Sequence, residues 1–191
     1  GLPTSPWPVS TPDDNSIWFP ITCSPLSDTG EIAFSVKAAN DAHIALGAEF
    51  NPTGRDVPNH IEIFLGGWAN SRSGIRPATG DTGNQVEIGG AHLSGSEYRT
   101  FRIRWTPTDI VLELLSVCDW VYMVSMDRSL LGISIERAIV MTGWGSRGEW
   151  KEFEGGLPTS PWPVSTPDDN SIWFPITCSP LSDTGEIAFS V

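Results

Sequence analysis

The stretch RTFRIRW, Arg99–Trp105, alternates without a break. Phe101, Ile103 and Trp105 fall on one side and Arg102 and Arg104 on the other. This is the period of a strand with one buried and one wet face. Pro107 and Asp109 supply the turn that ends it. The same period recurs on either side. In Gly30–Ala38, Ile32, Phe34 and Val36 oppose Ala33, Ser35 and Lys37. In His60–Gly66, Ile61, Ile63 and Leu65 alternate with Glu62 and Phe64. Further strands are expected at Ile17–Cys23, Asp41–Ala48, Asn70–Arg76, Gln85–Gly89 and Ile133–Gly143. Pro20 argues for an edge or a bulge in the first of these. Ile110–Ser116 and Trp120–Met126 are more apolar and read as buried strands. About ten short strands with frequent turns and no sustained helical period predict an all-β fold, an antiparallel, jelly-roll-like β-sandwich.

The ends of the chain carry a second signal. Residues 1–36 return letter for letter as 156–191. A fixed internal period is the mark of an array, so the chain reads as one unit and the start of another. Residues 1–15, GLPTSPWPVSTPDDN, are dense in proline and hydroxyl side chains and predict an extended linker, at about 3.1 Å per residue. The domain is then expected over 16–155, the repeated linker over 156–169, and the first strands of the next unit over 170–191. That strand pair cannot bury its apolar face alone. It gains meaning if it completes a neighbouring sheet, through Trp162, Ile172, Trp173, Phe174, Ile176, Ile187, Phe189 and Val191. Such strand donation would also cover an edge that invites aggregation.

The formal net charge is −12, and Lys and Arg number 11 against 23 acidic residues. That balance disfavours nucleic acid or an anionic membrane surface as partner. The most apolar run, Ile110–Val124, is interrupted by Glu113 and Asp119 and too short to span a bilayer. Of the 3 cysteines, Cys178 is the copy of Cys23. A Cys23–Cys118 disulfide, a junction disulfide Cys118–Cys178, and free thiols are all open readings. Without a CxxC pair, no structural zinc site is expected. Asn51-Pro-Thr is barred from N-glycosylation by its proline, whereas the Ser/Thr-Pro segment suits O-glycosylation.

Four blocks, FSVKAANDAHIAL (34–46), HIEIFLGGWANSRSGIR (60–76), FRIRW (101–105) and TGWGSRGEW (142–150), resemble the farnesoic acid O-methyltransferase-like domain family in its order. The resemblance implies a β-sandwich module of the kind joined to extracellular or lectin-like domains. The family's name implies a methyltransferase. Yet an S-adenosylmethionine site normally uses a Gly-rich turn between a strand and a helix. The glycines of LGGW and GWGSRG instead lie in a β pattern, where tight turns ask for them. No catalytic residue, metal or cofactor is therefore expected, and the protein reads as a non-enzyme.

Two functions remain. The first is a structural repeat of an extracellular or cell-surface filament, with identical beads as partners. The alternative is a secreted carbohydrate-binding module. For the latter, Glu62, Trp68, Asn70 and Ser71 with Arg76 come from one strand–turn–strand unit, and Trp144 with Arg147 from the terminal loop. A Trp platform ringed by Asn, Arg and carboxylate suits a sugar's apolar face and its hydroxyls. Packing of the tryptophans and a structural Glu62–Arg76 ion pair would use the same residues differently. His43, beside Asn40 and Asp41, reads first as satisfying backbone groups at a turn. His60 and His92 stand in unrelated contexts.

Overall fold

A computed structural model describes residues 6–22, 24–48, 59–78, 81, 83–117 and 119–153. Twelve strands and one short turn of helix follow in order: β1 (Val9–Thr11), β2 (Phe19–Pro20), β3 (Gly30–Lys37), β4 (Ala42–Gly47), β5 (His60–Gly66), α1 (Gly67–Asn70), β6 (Arg72–Arg76), β7 (Val86–Gly89), β8 (Arg99–Trp105), β9 (Asp109–Ser116), β10 (Asp119–Asp127), β11 (Arg137–Thr142) and β12 (Gly148–Glu152). They form two antiparallel six-stranded sheets. One runs β1-β12-β3-β8-β9-β10 and the other β2-β11-β4-β5-β6-β7.

The alternation in the sequence becomes the core between the sheets. Phe34, Val36, Phe101, Ile103, Leu112 and Trp150 from the first sheet pack in one cluster with Ile44, Leu46, Ile61, Ile63, Ile75 and Val140 from the second. Ring contacts link Phe34 to Phe101 at 6.1 Å and to Trp150 at 5.7 Å. On the outer face of β8, the side-chain nitrogens Nε of Arg102 and Arg104 both donate to Glu113 Oε2, at 2.7 and 2.8 Å. The second sheet differs, because β5 is buried on both faces over its whole length. Its outer face carries a separate small cluster of Trp18, Ala45, Ile139 and Met141, and beside it the polar groups described below.

The structure differs from the sequence reading at both ends of the chain. The Pro-rich segment 1–15 is not all linker, since Val9–Thr11 pair with Trp150–Gly148 as an edge strand. Its proline content hid a strand too short to show a period. The stretch GWGSRGEW, read as a terminal loop, contains β12, which lies between β1 and β3. The strand expected over Ile17–Cys23 shrinks to Phe19–Pro20, at a sheet edge, as Pro20 requires. The strand over Trp120–Met126, expected to be buried, is the opposite edge of the first sheet, with Val121 and Tyr122 exposed. Cys23, Cys118 and Cys178 lie outside the described residues, as do Trp162, Ile172, Trp173, Phe174, Ile176, Ile187, Phe189 and Val191. Of the first-copy counterparts of the latter, all but the exposed Ile17 serve the core. Trp18, Ile21, Phe34 and Val36 are buried, and Trp7, Phe19 and Ile32 pack against the main cluster.

A buried polar chain fixes β1. Trp150 Nε1 donates to Thr11 Oγ1 at 2.9 Å, Thr11 Oγ1 bonds Thr142 Oγ1 at 2.7 Å, and Thr142 Oγ1 donates to the Pro12 carbonyl at 2.9 Å. Thr11→Val keeps the shape but strands the indole N–H, a loss of about 1–3 kcal/mol. Urea unfolding is expected to register that loss. Hydrogen exchange is expected to speed first at Val9–Thr11, and unchanged stability would refute the role given to the chain.

Candidate functional site

Three neighbouring strands put charged side chains on the outer face of the second sheet. Ala45 pairs with Glu62 and Glu62 with Arg76, while His43 pairs with Phe64. Side chains two apart share a face, so His43 (β4), Glu62 and Phe64 (β5) and Arg76 (β6) all project the same way. Glu62 has no exposed surface, and His43 keeps 3% and Arg76 6%. The His43 ring nitrogen Nδ1 lies 2.6 Å from Glu62 Oε1, and Arg76 Nε donates to Glu62 Oε2 at 2.6 Å. Burial works against the Glu62 charge, but His43 and Arg76 outweigh it and hold the carboxyl down to about 2. Burial likewise works against a charge on His43. The carboxylates of Asp41 and Glu62 outweigh burial and the opposing Arg76, so His43 titrates above the usual histidine range.

Above this row lies a cleft of about 420 Å³. Asn40 and Asp41 of the β3–β4 connection line it, with His43, Phe64 and Arg76 from the strands. Gly67, Trp68 and Ala69 of the turn after β5 and Trp144 of the β11–β12 connection complete it. The two tryptophans are half-exposed, Trp68 at 47% and Trp144 at 43%. Trp144 lies 5.1 Å from the His43 ring, on the β4 side. Trp68 meets the Phe64 ring at 5.6 Å, and the Arg72 guanidinium lies 4.6 Å over its own ring.

The connections that carry these residues are strained and tied together. Asp41 (φ 44), Trp68 (φ 52), Ala69 (φ 57), Asn70 (φ 61) and Trp144 (φ 51) all have left-handed backbone, which costs an L-residue about 1–2 kcal/mol. Such conformations persist where the surroundings over-determine them. Ser146 Oγ accepts from the Ala39 and Asn40 amides at 3.1 and 3.2 Å, joining the β3–β4 and β11–β12 connections. The Asp41 amide donates to the Gly66 carbonyl at 3.1 Å, joining the first of these to the turn after β5. Asp13 Oδ1 accepts from the Gly145 amide at 2.9 Å, bracing the Trp144 connection from the N-terminal segment.

Of the residues singled out in the sequence, Trp68, Arg76 and Trp144 line the cleft and Glu62 anchors its floor. Asn70 does not reach it. Its amide group bonds both ways to Leu93, Nδ2 to the carbonyl at 2.9 Å and Oδ1 to the amide at 3.0 Å, which pins the turn. Ser71 is exposed and outside the lining, and so is Arg147. Sequence reasoning placed those three by nearness along the chain, which a turn does not preserve in space. His43 is not a turn residue satisfying backbone groups, for its partner is the Glu62 carboxylate. The missed members are Asn40, Asp41, His43 and Phe64. The signal for them was the NDAH run next to a strand, and it needed the β4–β5 register to be read. Among the described residues no group of three His, Cys, Asp or Glu side chains is placed to hold a metal ion. No described helix is long and apolar enough to cross a membrane.

The family model for farnesoic acid O-methyl transferase matches residues 13–153. No curated protein matches the chain. Among solved structures, the VIP36 exoplasmic/lumenal domain in its Ca²⁺/mannose-bound form superposes with a TM-score of 0.54 at 10% identity, covering 78% of this chain and 79% of that one. Its Ca²⁺/Man3GlcNAc-bound form gives 0.53 at 10% identity, covering 78% and 82%. At this identity the likeness is one of fold.

Removing the central carboxylate exposes the cost of the arrangement. Glu62→Gln leaves His43 and Arg76 buried without their counter-charge, and a loss of about 3–5 kcal/mol is expected in chemical denaturation. Glu62 is depressed in the folded state, so its stabilisation is present above the ordinary glutamate range and lost as pH falls towards about 2. The wild-type unfolding temperature is expected to drop across that window. An equal drop in Glu62→Gln would refute the assignment.

Proposed function

The chain belongs to the farnesoic acid O-methyl transferase family, and we propose that it is a carbohydrate-binding domain whose ligand enters the cleft between Trp68 and Trp144. The observation that carries this reading is the pair of half-exposed indoles flanking a floor of buried, fixed polar groups. A pyranose has an apolar face that stacks on an indole and a rim of hydroxyls that takes donors and acceptors. Arg76, His43, Asp41 and Asn40 provide both kinds. Little ordering remains for binding to impose, because the three connections are tied to one another before a ligand arrives. The shared fold with a lumenal domain solved with mannose supports the same reading, and an extracellular or lumenal setting goes with it.

The family's name points to methyl transfer, but the glycines here have another use. Gly66 (φ 63) opens the left-handed turn after β5, and Gly145 (φ 90) shapes the Trp144 connection. Gly66 ends β5, but the four residues after it form a turn, left-handed from Trp68 to Asn70, that leads into β6, and neither glycine opens a helix of the kind that cradles a nucleotide-like cofactor. We read the domain as a binder.

A second reading rests on the repeat. Residues 156–191 duplicate the segment that gives β1, β2 and most of β3. The antiparallel pairing of β1 with β12 brings the chain leaving Glu152 next to the start of β1. On this reading the second copy, identical in sequence, would complete this domain or another copy of it, joining beads head to tail in a filament of identical units.

For the glycan reading, Trp68→Ala and Trp144→Ala are each expected to weaken binding by about 2 kcal/mol, roughly thirtyfold, on a glycan array followed by calorimetry. Unchanged profiles would remove it. For the repeat, Phe34→Asp is expected to leave the full chain folded, because Phe189 replaces it. Phe34→Asp with Phe189→Asp is expected to abolish cooperative unfolding. Collapse of the single variant would show that the copies are not interchangeable.

A further inference from the structure

Two buried polar atoms on the cleft floor, Asn40 Oδ1 and His43 Nε2, have no hydrogen-bond partner among the described residues. The His43 case is informative because its other nitrogen is committed. Nδ1 lies 2.6 Å from Glu62 Oε1, and Glu62 is ionised across the ordinary pH range. An ionised carboxylate only accepts, so Nδ1 carries a proton in every populated state. His43 Nε2 faces Asp41 Oδ1 at 3.8 Å. That gap is too long for a direct hydrogen bond, yet one oxygen can lie about 2.8 Å from both atoms. A hydroxyl in that place accepts from Nε2–H and donates to Asp41, which satisfies all three groups.

We propose that His43 and Asp41 form a proton-dependent clamp for a single hydroxyl of an uncharged, polyhydroxylated ligand, closed only while His43 carries both its protons. This rests on the carbohydrate reading and adds the specificity and regulation of its site. When His43 is neutral its one proton stays on Nδ1, and Nε2 becomes an acceptor facing another acceptor. A hydroxyl has one proton to give and leaves one of the two bare, in a buried place where that is costly. Charged groups reach the ring from three of the elements packed around it, while β11 sets the uncharged Met141 opposite His43. The charged groups are Asp41 on the β3–β4 connection, Glu62 on β5 and Arg76 on β6, with the uncharged Trp144 ring beside them. The two carboxylates favour the second proton, while burial and Arg76 oppose it. Asn40 Oδ1 offers a further acceptor, so the ligand must also present a donor there. A phosphate or carboxylate group has no proton for Asp41 and is disfavoured at the clamp.

The sign of the pH effect follows. The binding form is the protonated one, so affinity is held below the His43 titration and falls as pH rises through it. With one linked proton the fall is about tenfold per pH unit above the midpoint.

The test is calorimetry of the full chain with methyl α-mannoside, methyl α-glucoside and methyl β-galactoside and their monodeoxy derivatives, from pH 6 to 9. The His43 ring is titrated by NMR in the same buffers. The expected result is a tenfold loss per unit above the NMR midpoint for a binding pyranoside. One monodeoxy derivative should bind weakly with a flat profile. His43→Gln, which offers a donor that does not titrate, should flatten the profile for the parent sugar. A flat wild-type profile, or the same slope in His43→Gln, overturns the clamp and leaves the carbohydrate reading standing. If His43→Gln fails to fold, disagreement between the NMR and binding midpoints in the wild type overturns it instead. Failure of every pyranoside to bind at any pH overturns the carbohydrate reading and the clamp together.

Discussion

A carboxylate with no exposed surface, that of Glu62, is shared between His43 and Arg76 across three adjacent strands. An ionised group in such a place is tolerated only with its charge matched and its lone pairs filled. Both partners are therefore compulsory, and each fixes something else. His43 stands against the Trp144 ring, and the Arg76 guanidinium lies 5.2 Å over the Phe64 ring, which in turn supports Trp68. The two exposed indoles of the cleft thus rest on the same buried charge, Trp144 through His43 and Trp68 through Phe64 and Arg76.

This places unlike demands on the two faces of one sheet. The inner face of β4, β5 and β6 is aliphatic and holds the sandwich together through Ile44, Ile63 and Ile75. The outer face is polar yet covered, and its cover is three short connections rather than another layer. Those connections hold left-handed residues, and at Trp68, Ala69 and Trp144 no local preference would choose that backbone. The bonds from Ser146, from Asp41 to Gly66 and from Asn70 to Leu93 supply what the sequence lacks locally. Backbone strain of about 1–2 kcal/mol per residue is gathered at the cleft, as expected where a binding geometry is held ready.

The sandwich was legible because burial on one face writes a period of two. Arg99–Trp105 and His60–Gly66 came out with their boundaries, and Gly30–Ala38 within one residue. Val9–Thr11 and Gly148–Glu152 did not, since a three-residue strand has no period and a strand opened by glycine among turn residues looks like a loop. The site was half legible. Trp68, Arg76 and Trp144 were found because tryptophan and arginine near glycine turns are conspicuous. Asn70, Ser71 and Arg147 came along by sequence proximity, while Asn40, Asp41 and His43 needed the pairing of β4 with β5. Nothing in a one-dimensional pattern says that His43 and Glu62 face each other.

The most direct measurement is chemical-shift mapping on ¹⁵N-labelled protein with a binding methyl pyranoside. The expected result is movement of the Trp68 and Trp144 indole N–H signals together with the amides of 40–43 and 67–69. The indoles of Trp105 and Trp150, bonded to Ser27 and Thr11 in the interior, should stay still. Shifts gathered on the other sheet, or no shifts at millimolar sugar, would contradict a glycan site in this cleft.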